Sequence, residues 1–369
     1  MSKRVLLAGV CLVAIATGAC ADDGTAAATR RVVTADWLNQ SLTVLDYDAL
    51  IDGQSDAAAA ILDTIDLSPW EPGPIEVELT PDGKTAVVSV GPAFFDGLPS
   101  LVGRPQIAPG GTLLIVDLQT GVADEIQTRD VPLGIAVSPD GMRAYTANYG
   151  TDGARGTSLS VIDIPGRRVI EEVDVGGGPE QVALSPDGSL GIVNVASRNG
   201  IRVFQTSDVA ATLSDVLPTG SDPSDVSFLD GNHRAVVANS FGFNVTLIDT
   251  SDPASPRVID NVPIAMGVPY GLTYVSSRDE LLAPTGATAP DVPTHLVTIA
   301  RDGDVLTPAT LELAGENFPL VAAADSAGGF GFVAHIVDHQ LSIVELATGK
   351  VRAIEWLTEA GPSYVAVQP

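Results

Sequence analysis

The sequence predicts an all-β chain that closes into a seven-bladed β-propeller with four antiparallel strands per blade. Three observations carry that prediction. One short phrase occurs seven times, with starts spaced by 58, 47, 44, 46, 50 and 43 residues. Most copies open a series of strand-like runs, and the two ends of the chain each hold part of one unit. Repeats of this length built from short strands are the mark of a radial array.

The phrase begins at Pro74 (PIEVELTPDG) and returns at Pro132 (PLGIAVSPDG) and Pro179 (PEQVALSPDG). It is worn at Pro223 (PSDVSFLDG), more so at Pro269 (PYGLTYVSSRD) and Pro319 (PLVAAADSAGG), and at Pro362 (PSYVAVQP) it stops before its turn. The Pro-Asp-Gly punctuation has a turn mechanism. Pro presets φ, Asp bonds nearby backbone, and Gly takes the positive φ that lets a hairpin resume.

Apolar, β-branched runs follow each turn, among them Ala86–Val90, Ala144–Asn148, Gly191–Val195, Ala235–Asn239, Leu281–Ala283 and Phe332–His335. After a variable loop comes a third run, often closed by an acid, as at Leu113–Asp117, Leu159–Asp163, Val245–Asp249 and Leu341–Glu345. Ile201–Phe204 and Leu296–Ile299 fill the same slot without one. A more polar fourth run such as Arg168–Asp174 completes the unit. Short β-branched runs bounded by Gly, Pro and Asp are strand signals, and no stretch holds a helical period long enough to compete. The first interval is longest because of one insertion, Gly91 to Gly111.

At the N-terminus, Arg31–Asp36, Leu42–Asp46 and Ile61–Leu67 read as second, third and fourth strands with no first. Ser363–Val367 is a first strand with nothing after it. The ring is therefore expected to close by the C-terminal strand joining the N-terminal blade, which hides two strand edges.

These residues resemble the YVTN β-propeller repeat family, whose pattern is a Pro-x-x-Val strand, Ser-Pro-Asp-Gly, Tyr-Val-Thr-Asn and then a Val-Ile-Asp strand. Ser138-Pro139-Asp140-Gly141, Ala144-Tyr145-Thr146-Ala147-Asn148 and Ser160-Val161-Ile162-Asp163 carry the likeness best. It covers roughly residues 31–369 and is faint in the units starting at Pro269 and Pro319. The Gly-His and Trp-Asp marks of WD40 repeats are absent. The resemblance implies a propeller fold and an extracytoplasmic place, and no particular activity.

The first residues read as an export signal. Lys3 and Arg4 form the charged region, Val5 to Ala16 the apolar one, and Thr17-Gly18-Ala19-Cys20 the cleavage site. Small residues before Cys20 resemble a lipobox, with Thr17 where Leu is favoured. The expected organisation is a removed signal over residues 1–19, lipidated Cys20 with a flexible tether to residue 30, and one propeller over residues 31–369. An ordinary secretory cut after Ala19 is the alternative. Ala21 is not the Asp that retains enteric lipoproteins at the inner membrane, which points to the outer membrane, facing periplasm or cell surface. Cys11 lies within the signal, so the mature chain has no disulfide and no Cys metal site.

Formal net charge is −27, or −29 once Lys3 and Arg4 are gone, and no basic block exists. Such a body repels nucleic acid and anionic headgroups. The membrane is expected as a partner through the acyl anchor alone, nucleic acid is not, and the chain is expected to be a monomer.

In propellers, loops joining strands two and three share a face with the links between blades. The candidate ligand-binding residues placed there are Asp36, Trp37, Phe94, Phe95, Arg104, Asn148, Tyr149, Arg198, Asn239, His335, Asp338 and His339. Asn39, Asp96, Asn199, Phe241 and Thr285 join them, and the links add Glu71, Arg129, Glu180, Asp222 and Tyr270. A concave rim with convergent polar groups is the default ligand site. His335, Asp338 and His339 could ligate a divalent metal or act as acid and base, but a metal needs more converging ligands than the sequence names. The alternative is a polar loop, with His335 in the slot that holds Asn elsewhere. Asn148 and Asn239 could equally cap turns. Trp37 and the Phe94-Phe95 pair could anchor a partner or be buried by the insertion. No cofactor is expected beyond that metal, since nucleophile-elbow, P-loop, dinucleotide and haem-attachment motifs are all absent.

The function favoured by these residues is a lipid-anchored binding or scaffold propeller, leaning non-enzymatic, for a protein or cell-envelope ligand. The alternatives are a lactonase-like hydrolase, a metal- or redox-cofactor-binding propeller, or a purely structural envelope protein. A channel with adjacent Arg, His and acid would favour the enzyme. An apolar plug with an exposed aromatic rim would favour the binder.

Overall fold

Alternating side chains explain why the second and third strands of the blades are buried and largely apolar on both faces. Val32 packs towards one neighbouring blade, with Leu45, Phe332 and Leu341, while the adjacent Val33 packs towards the other, with Val77, Val88 and Leu114. Successive strand residues point to opposite faces, so a blade between two others needs apolar residues at both parities. The core is thus a set of inter-blade layers.

The structure, a computed structural model, describes residues 30–53, 57–92, 110–151, 153–229, 231–265, 267–286, 294–313, 319–355 and 360–368. The signal and lipidation expectations at residues 1–29, including Cys20, lie outside the described residues, as do Phe94, Phe95, Asp96 and Arg104 of the insertion.

Seven antiparallel sheets form the ring. Blade 1 runs Pro362–Val367, Arg31–Asp36, Ser41–Asp46, Ile61–Asp66 from the inside outwards, so the two ends of the chain share it as expected. Blades 2 to 5 begin at Pro74, Ile135, Val182 and Pro223, and blade 7 at Pro319. In blade 6 the inner strand is split into Val268–Pro269 and Thr273–Val275, both paired with Glu280–Gly286. Blade 1 closes with Val32 opposite Val367 and Thr34 opposite Val365.

The Pro-Asp-Gly turns work as a small network. Asp82, Asp140 and Asp187 accept the hydroxyls of Thr80, Ser138 and Ser185, and also the N–H groups of Lys84, Met142 and Ser189. Gly83, Gly141 and Gly188 follow at φ of 65°, 69° and 71°. The acids closing third strands are structural too. Asp117 accepts the N–H groups of Gln119 and Thr120, and Asp163 that of Gly166. Asp46 caps a short helix, Tyr47–Asp52, by accepting the Ala49 N–H.

Candidate functional site

Asp36, Asn148, Asn239 and His335 share one position near the loop-face end of the second strand, in blades 1, 3, 5 and 7. All four are fully buried. Each reaches a hydroxyl on the third strand. Thr43 Oγ1 donates to Asp36, and Asn148 Nδ2 donates to Ser160 Oγ at 2.8 Å. Asn239 Nδ2 donates to Thr246 Oγ1 at 2.9 Å, and His335 Nε2 lies 2.9 Å from Ser342 Oγ. These side chains therefore tie hairpins together from within, as buried polar groups must. They bond third-strand hydroxyls, where the sequence suggested turn backbone for the Asn residues. Burial pushes the His335 imidazole down to about 4, against the opposing charge of Asp338. Its Nδ1 and that of His339 are buried without a hydrogen-bond partner among the described residues. His339 holds a left-handed turn at φ 55°. His335, Asp338 and His339 do not converge into a ligand set, since no group of three or more His, Cys, Asp or Glu among the described residues could hold a metal.

Trp37 is also fully buried. Its Nε1 donates to the Gly91 carbonyl at 2.9 Å, and its ring packs with Ile75, Leu320 and Ile336 beneath the loop face. Thr285 is buried and donates to the His295 carbonyl. Arg198, Asn39, Glu71 and Arg129 are exposed on the rim.

Tyr149 sits elsewhere. It lines a cavity of about 340 Å³ in the mouth of the central channel, together with Glu180, Asp222, Tyr270 and Phe241 from the same set of rim residues. Each of the seven blades contributes to its wall, which places it on the ring axis. The Arg155 guanidinium lies 4.1 Å over the Tyr149 ring and 3.7 Å from Glu180. Phe241 is 61 % exposed at the lip. Asp222 adopts φ 57°, with its N–H donated to Asn199 Oδ1 at 3.1 Å.

Sequence reasoning missed the deeper wall. Glu76, Gln181, Asp225, Gly271, Val321 and Tyr364 all line the cavity, and all are the third letter of their copy of the repeated phrase. The second letters Leu133, Glu180, Ser224, Tyr270 and Leu320 line it as well. Inner strands stand side by side around the axis, so one column of the repeat becomes one tier of the channel. The missing third letter is Gly134. A Cβ there would stand 2.1 Å from Gln181 Oε1, so glycine lets Gln181 cross the narrow axis. Gln181 Nε2 then donates to Glu76 at 3.0 Å, whose other oxygen accepts the Ile135 N–H at 2.8 Å.

Two residues further along, by strand periodicity, the tier is small except at Glu78. Ala136, Ala183, Ser227, Thr273, Ala323 and Ala366 are the other fifth letters. Tyr364 spans the two tiers and donates to Glu78 at 3.4 Å. Burial is the main force on these acids. It raises Glu76 well above the carboxylate range, helped by the charges of Glu78 and Asp225. It raises Glu78 to about 7 against the Tyr364 hydrogen bond, and Asp225 to about 7 against the N–H groups of Leu272 and Val226. Burial with the charges of Asp222 and Glu180 pushes the Tyr270 phenol up to about 12. The cavity combines aromatic walls, one guanidinium and a floor of acids whose proton affinity burial raises, an arrangement suited to holding a polar molecule.

No protein-family model matches the chain, and no curated protein matches it. Solved structures resemble it in fold. A Bacteroides fragilis protein proposed to be a 6-phosphogluconolactonase superposes with a TM-score of 0.70 at 16 % identity, covering 94 % of this chain and 99 % of that one. The periplasmic gluconolactonase of Pseudomonas aeruginosa gives 0.69 at 18 %, covering 92 % and 99 %. The Kuenenia stuttgartiensis hydrazine synthase gives 0.61 at 23 %, covering 74 % and 77 %. At these identities the likeness is one of fold.

Proposed function

We propose that this protein is a ligand-binding propeller which takes a small polar molecule of its surroundings into the mouth of its central channel. The observation that supports this is the cavity on the ring axis, to which every blade contributes. Its about 340 Å³ lies within the range of small-molecule sites. The exposed Phe241 at the lip matches the aromatic rim expected of a binder and Leu133, Leu320 and Val321 add apolar wall, while the floor of Glu76, Gln181 and Asp225 is polar where an apolar plug was expected. No His is among the residues lining this cavity, so the Arg-His-acid set expected of a hydrolase is not brought together in it. In this proposal the chain acts outside the cytoplasm, held by the lipid on Cys20, as a monomer. Among the described residues no helix is long and apolar enough to cross a membrane.

Lactone hydrolysis is the second reading, favoured by the two lactonase-named structures that match almost their full length. Asp225, raised to about 7, is the group with a proton affinity suited to a general base. One experiment separates the two. The protein is melted with a panel of sugars, sugar acids, lactones and amines, and glucono-δ-lactone opening is followed in a pH-stat. Binding predicts a rise in Tm of several degrees for one ligand class, since a ligand at a hundred times its Kd adds about 2.7 kcal/mol. It also predicts lactone opening at the buffer rate. Acceleration that Asp225→Asn abolishes would replace the binding reading with the hydrolase.

A further inference from the structure

The lining of the cavity is chemically one-sided. Four carboxyl groups face it, from Glu76, Glu180, Asp222 and Asp225, against the single guanidinium of Arg155. Anionic and phosphorylated ligands would meet the rim carboxylates of Glu180 and Asp222 at close range, where like charges cost several kcal/mol. Aromatic rings make up much of the remaining wall, with Tyr149, Tyr270 and Phe241 at the mouth. Ring faces attract cations, and aromatic walls beside acids are how proteins hold ammonium groups.

The chain itself displays that chemistry. The Arg155 guanidinium stacks 4.1 Å from the centre of the Tyr149 ring while Glu180 stands 3.7 Å away. One wall of the cavity thus already holds an organic cation between an aromatic face and a carboxylate. Tyr270 and Asp222 line the same cavity. The charges of Asp222 and Glu180 both act on the Tyr270 phenol. Phe241 stands at the same lip. The body's formal charge of −27 would draw cations towards such a mouth.

Resting on the ligand-binding reading above, we infer that the ligand is a small organic cation, an amine or quaternary ammonium compound, whose charged head lodges between Tyr270 and Asp222. The aromatic ring supplies the face, the carboxylate the counter-charge, and the polar floor receives the rest of the molecule.

Isothermal titration of the whole protein with choline and agmatine, and in parallel with glucose and glucono-δ-lactone, tests this. The expected result is saturable binding of at least one cation with a Kd tighter than about 1 mM and none of the neutral probes. Tyr270→Ala and Asp222→Asn should each weaken cation binding at least tenfold, while Tyr270→Phe, which keeps the ring, should retain it. Melting curves of all three variants within a few degrees of the parent show that the fold is intact. Cation binding unchanged in Tyr270→Ala and Asp222→Asn would place it on the acidic surface and overturn the inference. Binding of a neutral probe alone would overturn the cation inference and leave the ligand-binding reading standing. Silence from both classes would count against both.

Discussion

Deleting residues 362–369 is expected to open the ring, lower the melting temperature by well over ten degrees and make the protein aggregate. The strand Pro362–Val367 is the innermost strand of blade 1 and pairs with Val32–Asp36. Without it that blade presents an unpaired inner edge towards the axis, the kind of template on which chains add to one another. Val365 and Ala366 are buried, in layers shared with blades 7 and 2 respectively. Ser363 Oγ lies 3.0, 3.2 and 2.7 Å from the carbonyls of Ala35, Pro74 and Ile75, so one hydroxyl ties blade 1 to blade 2. A buried Val is worth about 1.5–3 kcal/mol, and a strand carrying several such groups matches a large part of a typical total stability of about 5–15 kcal/mol. Val365→Asp should reproduce most of the effect without shortening the chain, because it places a carboxylate in a dry layer. Differential scanning calorimetry with light scattering reads both variants. A truncated protein that melts with the parent would show that the ring does not depend on its closure strand.

That closure was visible in the sequence because it is written twice, as a blade lacking its first strand and as a first strand lacking its blade. The blades were visible for the same reason, since Thr80-Pro81-Asp82-Gly83 and its copies in the units at Pro132 and Pro179 set a spacing by which the worn units could be placed. The candidate site was only half legible. Tyr149, Glu180, Asp222, Tyr270 and Phe241 line the cavity, because a topological argument about which loops share a face is sufficient to place them. Asp36, Asn148, Asn239 and His335 are buried in hairpins instead. Their distance along the chain from a loop is small, but strand parity turns each side chain inwards to Thr43, Ser160, Thr246 or Ser342. Parity also hid Glu76, Gln181, Asp225 and Tyr364. They sit in or directly before strands that look like core, and only their shared column in the repeat marks them as axial. The approach of Gln181 over Gly134 to Glu76 crosses 105 positions of sequence and leaves no local signal.

The second large effect is a pH-dependent one at Asp36. Burial raises this carboxyl from 3.8 to about 7, against the hydroxyls of Thr43, Thr34 and Ser41. Blade 3 shows what the site prefers. There Asn148 accepts from Thr146 on one side and donates to Ser158 and Ser160 on the other. A protonated Asp36 can copy that pattern, accepting from Thr34 and donating towards Thr43, whereas the ionised form can only accept. A raised carboxyl pKa means that the native state keeps a proton the unfolded chain has released, so its contribution is complete below about pH 4 and is lost as pH rises to about 7. Glu78 and Asp225, both at about 7, and the still higher Glu76 have the same sign. His335, lowered to about 4, has the opposite one, losing stability as pH falls from about 6.5. Asp82, Asp140 and Asp163, held low by their hydrogen bonds, lose theirs only in stronger acid. With four acids against one imidazole across that window, the protein should be more stable at pH 5 than at pH 8. Asp36→Asn isolates one term. It should raise Tm by several degrees at pH 8, where the shift sets an upper bound of about 4 kcal/mol, and change it little at pH 4.5. Asp36→Ala, which strands three buried hydroxyls, should destabilise at both. An Asp36→Asn protein that gains nothing at pH 8 would show that the carboxylate is ionised in the fold and that the three hydroxyls alone sustain its charge.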